Sequence, residues 1–181
     1  MSNWIDVLSR GGQVRRWHTV PGLNQTVAEH SWRCALLAEK WGTVCDNVDT
    51  GRVLQYMLIH DIPEGDLGDM PWGAKQDPKV SQALKSREIE IVDYGFPMRH
   101  ATVFSRTEFT ESERLLSEVV DQAEAAIFIT EQVNRGRRDL TGVRDSILDL
   151  TMHILFQLAH HEPHAVTEIR ADIHKSTGLM Q

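Results

Sequence analysis

Cysteine is scarce in this chain, with only Cys34 and Cys45 in 181 residues, and the two form no CxxC pair or other metal-binding spacing. A disulfide framework is therefore not expected, and Cys34, set in a helical apolar pattern, reads as a small buried hydrophobe. No apolar run approaches the length of a membrane span. The opening MSNWIDVL lacks the layout of a signal peptide, so a cytoplasmic protein without membrane contact is expected. Basic excess is also missing: 19 lysines and arginines face 26 acidic residues, a net charge of -7. That balance argues against a nonspecific nucleic-acid surface, and any phosphate site must be a local cationic pocket. Alternating β-type runs, repeats and low-complexity linkers are absent too. What remains, with 41% hydrophobic and 25% charged residues, is ordinary globular composition. The length suits one domain around a single core.

The punctuation reads as helices throughout, which makes the expected fold all-α, a single-domain helical bundle over residues 1–181. An opening helix spans about Asn3 to Ser9 and ends at Gly11-Gly12; a loop with Arg15, Arg16, Trp17 and Pro21 follows. Thr26 as N-cap with Glu29 three residues later marks a second helix that stops near Gly42. Thr50 is expected to cap a third helix, which delivers His60 and Asp61 at its C-terminal end. Asp77-Pro78 suits the N-cap and first position of a helix ending before Gly95. Further helices are expected from about Ser112 to Arg135, Leu140 to His160 and Pro163 to Ser176. Residues 137–181 read as packing or oligomerisation helices, with Ile147, Leu148, Met152, Leu155 and Phe156 on a broad apolar face. His160, His161 and His164 read as solvated side chains rather than a second metal site.

The chemistry is carried by QTVAEHSW around His30 and LIHDIPEGDLGDMP around His60-Asp61. Both runs interleave polar residues with apolar ones at helical spacing: Val27, Leu36 and Leu37 in the first, Leu54, Met57 and Leu58 before the second. Imidazole nitrogens and carboxylate oxygens on two packed helices can hold one divalent cation of the zinc, manganese or cobalt type. A lone histidine on an apolar face is more often a core or surface residue, and this chain has nine. The acidic run that follows lifts this set above that reading. Glu64, Asp66 and Asp69 are interleaved with Pro63, Gly65, Gly68 and Pro71, which pin a loop at one helix end. Metal-assisted hydrolysis is the leading reading.

Taken in order, Arg16-Trp17, AEHS ending in His30-Ser31, HDxxE from His60 to Glu64, GDMP around Asp69, Lys75 and a helical Asp121 resemble the HD-domain phosphohydrolases. The resemblance is to the small 5'-deoxynucleotidase branch and to the related short phage deoxyadenosine triphosphate (dATP) triphosphohydrolases. It implies an HD-type bundle with His30, His60, Asp61 and Asp121 as ligands of zinc, cobalt or manganese, magnesium being a further candidate. Glu124, nearly one turn beyond Asp121 on the same face, is its rival. Acidifying water from about pKa 15.7 to about 7 amounts to on the order of 12 kcal/mol in ionisation, which overstates the rate benefit. A positioned acid or base gives roughly 3–5 kcal/mol, so the metal comes first.

Glu64, four residues past His60 and thus facing the same side of a continuing helical turn, is expected to orient or deprotonate water. Asp69 either protonates the leaving oxygen or fixes the sugar. Asp66 has no counterpart in the resembling motif and reads as a solvated loop residue. Arg16 clamps phosphate with Lys75 as a second cation. The resemblance places Trp17 as a wall against the sugar that disfavours a 2'-hydroxyl, a discrimination of about 10². One position departs from the pattern: related triphosphohydrolases carry a lysine one turn before the metal aspartate, where this chain has Glu118. Arg114, Arg137 or Arg138 could replace that charge.

The expected activity is hydrolysis of the 5'-phosphoester of deoxyribonucleotides, with dATP leading and deoxynucleoside monophosphates close behind. A nucleotide-binding module that reports to a partner is the reading from outside enzymology. The expected partners are a small-molecule deoxynucleotide, no nucleic acid polymer, and further copies of this chain in a dimer or hexamer.

Overall fold

The computed structural model describes residues 4–75, 77–95 and 98–178, so Asn3, expected as the first helical residue, lies outside the described residues. Helix α1 (Trp4–Gln13) runs straight through the Gly11-Gly12 pair that was expected to end it. Close packing explains why glycine is there. A Cβ on Gly11 would lie 2.5 Å from the Ile62 carbonyl oxygen, and one on Gly65 would lie 2.6 Å from the Gly11 nitrogen. These glycines let α1 approach the 62–65 turn backbone to backbone. The expected loop beyond α1 is a short ribbon. Strand β1 (Arg15–Arg16) pairs antiparallel with β2 (Gln25–Thr26), Arg15 opposite Thr26 and Arg16 opposite Gln25.

Helix α2 (Val27–Gly42) starts where the capping-box signature places it. Glu29 N–H donates to Thr26 Oγ1 at 3.2 Å, and Thr26 N–H donates to Glu29 Oε2 at 2.7 Å. Helix α3 (Thr50–Ile59) is capped by Asp49 rather than Thr50, because Asp49 Oδ1 accepts the Arg52 N–H at 3.0 Å. It stops before His60, so Glu64 does not sit on a continuation of it. Tighter bonds take over, Ile62 N–H to Ile59 O at 3.1 Å and Glu64 N–H to Asp61 O at 3.0 Å. Pro63 has no N–H with which to extend the α-pattern. Short helices α4 (Glu64–Leu67) and α5 (Trp72–Lys75) follow. Helix α6 (Pro78–Gly95) begins under Asp77, whose Oδ1 accepts from Lys79 N–H at 2.8 Å, as expected. Helix α7 (Met98–Ser105) was not anticipated. Helix α8 (Glu111–Asn134) opens with a full capping box on Thr110 and Glu113, and Gly136, with φ +105°, turns the chain beyond it. A 3-10 turn (Arg138–Leu140), α9 (Thr141–Leu158) and α10 (Pro163–Thr177) complete an all-α chain close to the expected boundaries. No helix among the described residues is long and apolar enough to cross a membrane.

The helices fall into two compact units. The first takes in residues up to Trp32 and Leu58–Glu108, around Val7, Ile59, Ile62, Ile91 and Val92. The second takes in Arg33–Met57 and residues from Phe109 onward. Its core includes Cys34, Trp41, Met57, Leu116, Leu155 and Ile169, with α9 and α10 contributing throughout. Two buried carboxylates tie down the connection between α2 and α3 in this unit. Glu162 accepts from Asp46 N–H at 2.8 Å and Asn47 N–H at 3.1 Å, and Glu113 accepts from Asp49 N–H at 3.0 Å. The backbone N–H groups of this connection, which no helix ladder uses, are thereby paired.

The α1–α4 approach yields a direct expectation. Gly65→Ala forces a methyl against backbone atoms that cannot rotate away, and should lower stability by about 1–3 kcal/mol. Thermal unfolding measures it; a melting temperature equal to the parent's would refute the close-approach account.

Candidate active site

His30 lies in the first turn of α2 and is 0% exposed. The capping box sets where α2 begins and hence which way this side chain points. His60 follows the end of α3, and the turn there brings it to His30. Their Nε2 atoms are 3.3 Å apart, with ring centroids 5.3 Å apart and planes tilted by 55°. Asp61 closes the group, Oδ2 at 3.6 Å from His30 Nε2 and Oδ1 at 3.4 Å from His60 Nε2. Donors bound at about 2.0–2.1 Å around a tetrahedral zinc-type cation are separated by about 3.3–3.4 Å. The histidine nitrogens match that edge, each faces a different Asp61 oxygen, and two imidazoles with a carboxylate are the donor chemistry such a cation takes. These residues fit a divalent metal.

Arg16, on β1, donates from its guanidinium to Asp61 Oδ2. Glu64, at the start of α4, is 6% exposed, and its Oε1 accepts from Lys75 Nζ at 3.2 Å. Its Oε2 is buried with no hydrogen-bond partner among the described residues. Burial, reinforced by the charges of Asp61 and Asp69, pushes the Glu64 carboxyl up to about 8, while Lys75 and Arg16 oppose the shift. The Lys75 ammonium also lies 3.7 Å from Asp69 Oδ1. Burial pulls Lys75 down, but Glu64, Asp61 and Asp69 outweigh it and the net shift is upward. Lys75 thus sits between two carboxylates as a permanent cation.

Trp17 has φ +62°, a left-handed backbone that costs a bulky residue of order 1–3 kcal/mol. Asp69 Oδ2 accepts the Trp17 backbone N–H at 3.2 Å, and Gln25 Oε1 accepts the indole Nε1–H at 3.1 Å. Sequence reasoning missed Gln25, which is 2% exposed on β2. Two-residue strands carry no readable periodicity; the only hint is a polar residue directly before the N-cap of the helix that bears His30. His18 Nδ1 lies 3.6 Å from Asp69 Oδ2 and was missed as well. Asp66 is exposed on α4 rather than in a loop, and its Oδ1 pairs with Arg10 Nη1 at 2.7 Å. Arg16, Trp17, His30, His60, Asp61, Glu64, Asp69 and Lys75 therefore all belong to the first unit.

Asp121 belongs to the second unit, half-buried on α8, and Gln122 Nε2 donates to its Oδ2 at 3.2 Å. Its rival Glu124 is 0% exposed and engaged by Arg33 Nε at 3.0 Å. Arg33 also donates to Glu131 Oε1 at 2.8 Å. That ion pairing gives Glu124 a structural reason for being where it is. Of the arginines considered as replacements near Glu118, Arg114 pairs with Glu111 at 3.7 Å and Arg137 with Asp139 at 2.8 Å. His160, His161 and His164 are exposed.

An all-α chain with paired histidines, a His-Asp step and a buried glutamate defines a class, and the HD domain family matches residues 12–145. The chain belongs to that family. It is 35% identical over 91 residues to a dATP triphosphohydrolase of Salmonella phage PMBT28, covering 45% of this chain and 47% of that one. It is 29% identical over 123 residues to the dATP triphosphohydrolase of cyanophage S-2L, covering 66% of each. The chain thus spans between about half and two thirds of the length of these curated relatives. Among solved structures, the cyanophage S-2L HD phosphohydrolase DatZ, bound to dA and one catalytic zinc ion, superposes with a TM-score of 0.68. Identity is 20%, over 97% of this chain and 96% of that one. An HD-domain phosphohydrolase from Listeria innocua gives 0.70 at 18% identity, over 97% and 91%. A conserved hypothetical protein from Pyrococcus furiosus gives 0.72 at 17% identity, over 95% and 98%. At these identities the structural likenesses establish the HD-type fold.

If Glu124 is structural, removing Arg33 takes away the cation that offsets a fully buried carboxylate. Arg33→Met should destabilise the protein by about 3 kcal/mol, and Arg33→Met with Glu124→Leu should recover most of it. Urea denaturation reads both; a harmless single substitution would contradict the pairing.

Proposed function

We propose that this chain is a metal-dependent phosphohydrolase that cleaves the 5'-phosphoester of deoxyribonucleotides, with dATP as substrate and deoxyadenosine plus triphosphate as products. The observation that carries this reading is the donor group of His30, His60 and Asp61, the histidine nitrogens at tetrahedral-edge spacing, beside the buried Glu64. Membership of the HD domain family and two relatives named dATP triphosphohydrolases support it. We assign His30, His60, Asp61 and Asp121 as ligands of zinc, cobalt or manganese, with magnesium as a further candidate. The family match runs across segments of both units, which supports their acting as one HD domain.

A cation held there supplies Lewis-acid polarisation of a phosphate oxygen and a lowered water pKa. The chain supplies the rest. In its ionised form Glu64 offers the buried Oε2 to the attacking water, orients it and takes its proton as the new bond to the α-phosphorus forms. The bond from phosphorus to O5' breaks, and the leaving oxygen takes a proton from Asp69 or from water that Asp69 positions. Arg16 presents a planar fork to phosphate oxygens, and Lys75 adds an ammonium. Trp17 walls the deoxyribose.

One observation favours a second reading, hydrolysis of deoxynucleoside monophosphates. Glu118 precedes Asp121 by three residues on α8, where related triphosphohydrolases carry a lysine. A carboxylate there repels β- and γ-phosphates.

Phosphate release from deoxynucleoside mono-, di- and triphosphates, each with manganese, cobalt or zinc, tests the proposal. Absence of turnover by the metal-loaded protein would refute it, and tight nucleotide binding without turnover would indicate a binding module. His60→Ala and Asp61→Ala should lose both metal and activity. Glu64→Ala should keep the metal while kcat drops by about 10²-fold or more. Metal content after dialysis separates the two; loss of metal from the Glu64 variant would overturn its assigned role.

A further inference from the structure

The ribbon before α2 holds Trp17 in a conformation a tryptophan does not adopt unaided. Its φ of +62° is stabilised by Asp69 Oδ2 accepting the backbone N–H at 3.2 Å and by Val20 N–H donating to the Trp17 carbonyl at 2.8 Å. Both bonds act on the backbone and do not themselves fix the side-chain torsions of the indole. The bond from indole Nε1–H to Gln25 Oε1 at 3.1 Å acts on the ring. Gln25 is itself fixed. It lies on β2 opposite Arg16 in the ribbon register, and at 2% exposure its amide has little access to exchanging water. A buried acceptor eight residues away thus holds the indole by its N–H before any sugar arrives.

A wall discriminates against an added hydroxyl only if it does not yield. An indole free to tilt would make room for a 2'-oxygen, and the difference between deoxyribose and ribose would shrink. We infer that Gln25 is a positioning residue for sugar selection, locking the Trp17 ring through the indole N–H. This inference rests on the reading of Trp17 as the deoxyribose wall.

Gln25→Leu removes the acceptor at similar volume, while Gln25→Glu keeps an oxygen at the same reach. The Trp17 indole resonance in a ¹⁵N–¹H spectrum, identified by its loss in Trp17→Phe, reports the hydrogen bond without reference to activity. Its proton should be protected from exchange in the parent and in Gln25→Glu, and should exchange at least about tenfold faster in Gln25→Leu. The ratio of kcat/KM for a deoxynucleotide over its ribonucleotide should narrow by about fivefold to tenfold in Gln25→Leu and stay within about twofold of the parent in Gln25→Glu. The ratio of deoxyadenosine to adenosine affinity, read by calorimetry, should follow it, with metal content unchanged. If Gln25→Leu does not fold, Gln25→Asn, one methylene shorter, is read in its place with the same expectations.

Faster exchange with an undiminished ratio would overturn the inference, as would equal losses in the Leu and Glu variants. A protected indole proton in a parent that treats deoxyribose and ribose alike would instead refute the wall reading on which the inference rests.

Discussion

Two imidazole nitrogens facing one another at 3.3 Å, one of them on a ring with no solvent exposure, form the constraint on which the first unit depends. Such a pair is held only if each ring is delivered by an element with little freedom. Thr26 and Glu29 fix the first turn of α2 reciprocally, and with it the direction of His30. The tight bonds from Ile59 through Gly65 fix His60 and Asp61 just beyond α3. Gly11 and Gly65 then let α1 lie directly against that turn. Local capping chemistry and a backbone contact thus set a geometry that side-chain packing alone would leave loose.

Around the histidines, three carboxylates and two cations share a small volume, largely buried apart from the Lys75 side chain. Asp61, Glu64 and Asp69 are acidic, while Arg16 and Lys75 are basic, and each cation already has a carboxylate partner. Isolated burial of any of these charges would be strongly unfavourable, and mutual pairing is what makes the cluster tolerable. On the function proposed above, an incoming phosphate would have to compete with these carboxylates for Arg16 and Lys75, in a protein whose overall charge is already -7.

Much of this was legible from residues alone. Helical spacing located α8, α9 and α10, and N-cap chemistry located α2 and α6 because Thr26 and Asp77-Pro78 act through local hydrogen bonds and fixed dihedrals. The histidines and Asp61 stood out because their spacing and neighbours are chemically specific. What escaped depended on distant atoms. Gly11 looked like a terminator, since its true reason is the Ile62 carbonyl, fifty-one residues onward. Thr50 looked like a cap because Asp49 one residue earlier was equally suited. The two-residue strands had no period to detect, so Gln25 passed unnoticed although it holds the Trp17 indole. Helix α7 is short and its sequence lacks a strong start signal.

The left-handed backbone at Trp17 sets two demands on one position against each other. Glycine there would relax the backbone but discard the indole's packing and its bond to Gln25, whereas the chemistry proposed for the pocket needs the largest side chain available. Selection on expression or heat resistance alone would weigh backbone strain against packing and would not single out tryptophan. Only selection on which sugar is accepted would hold it in place.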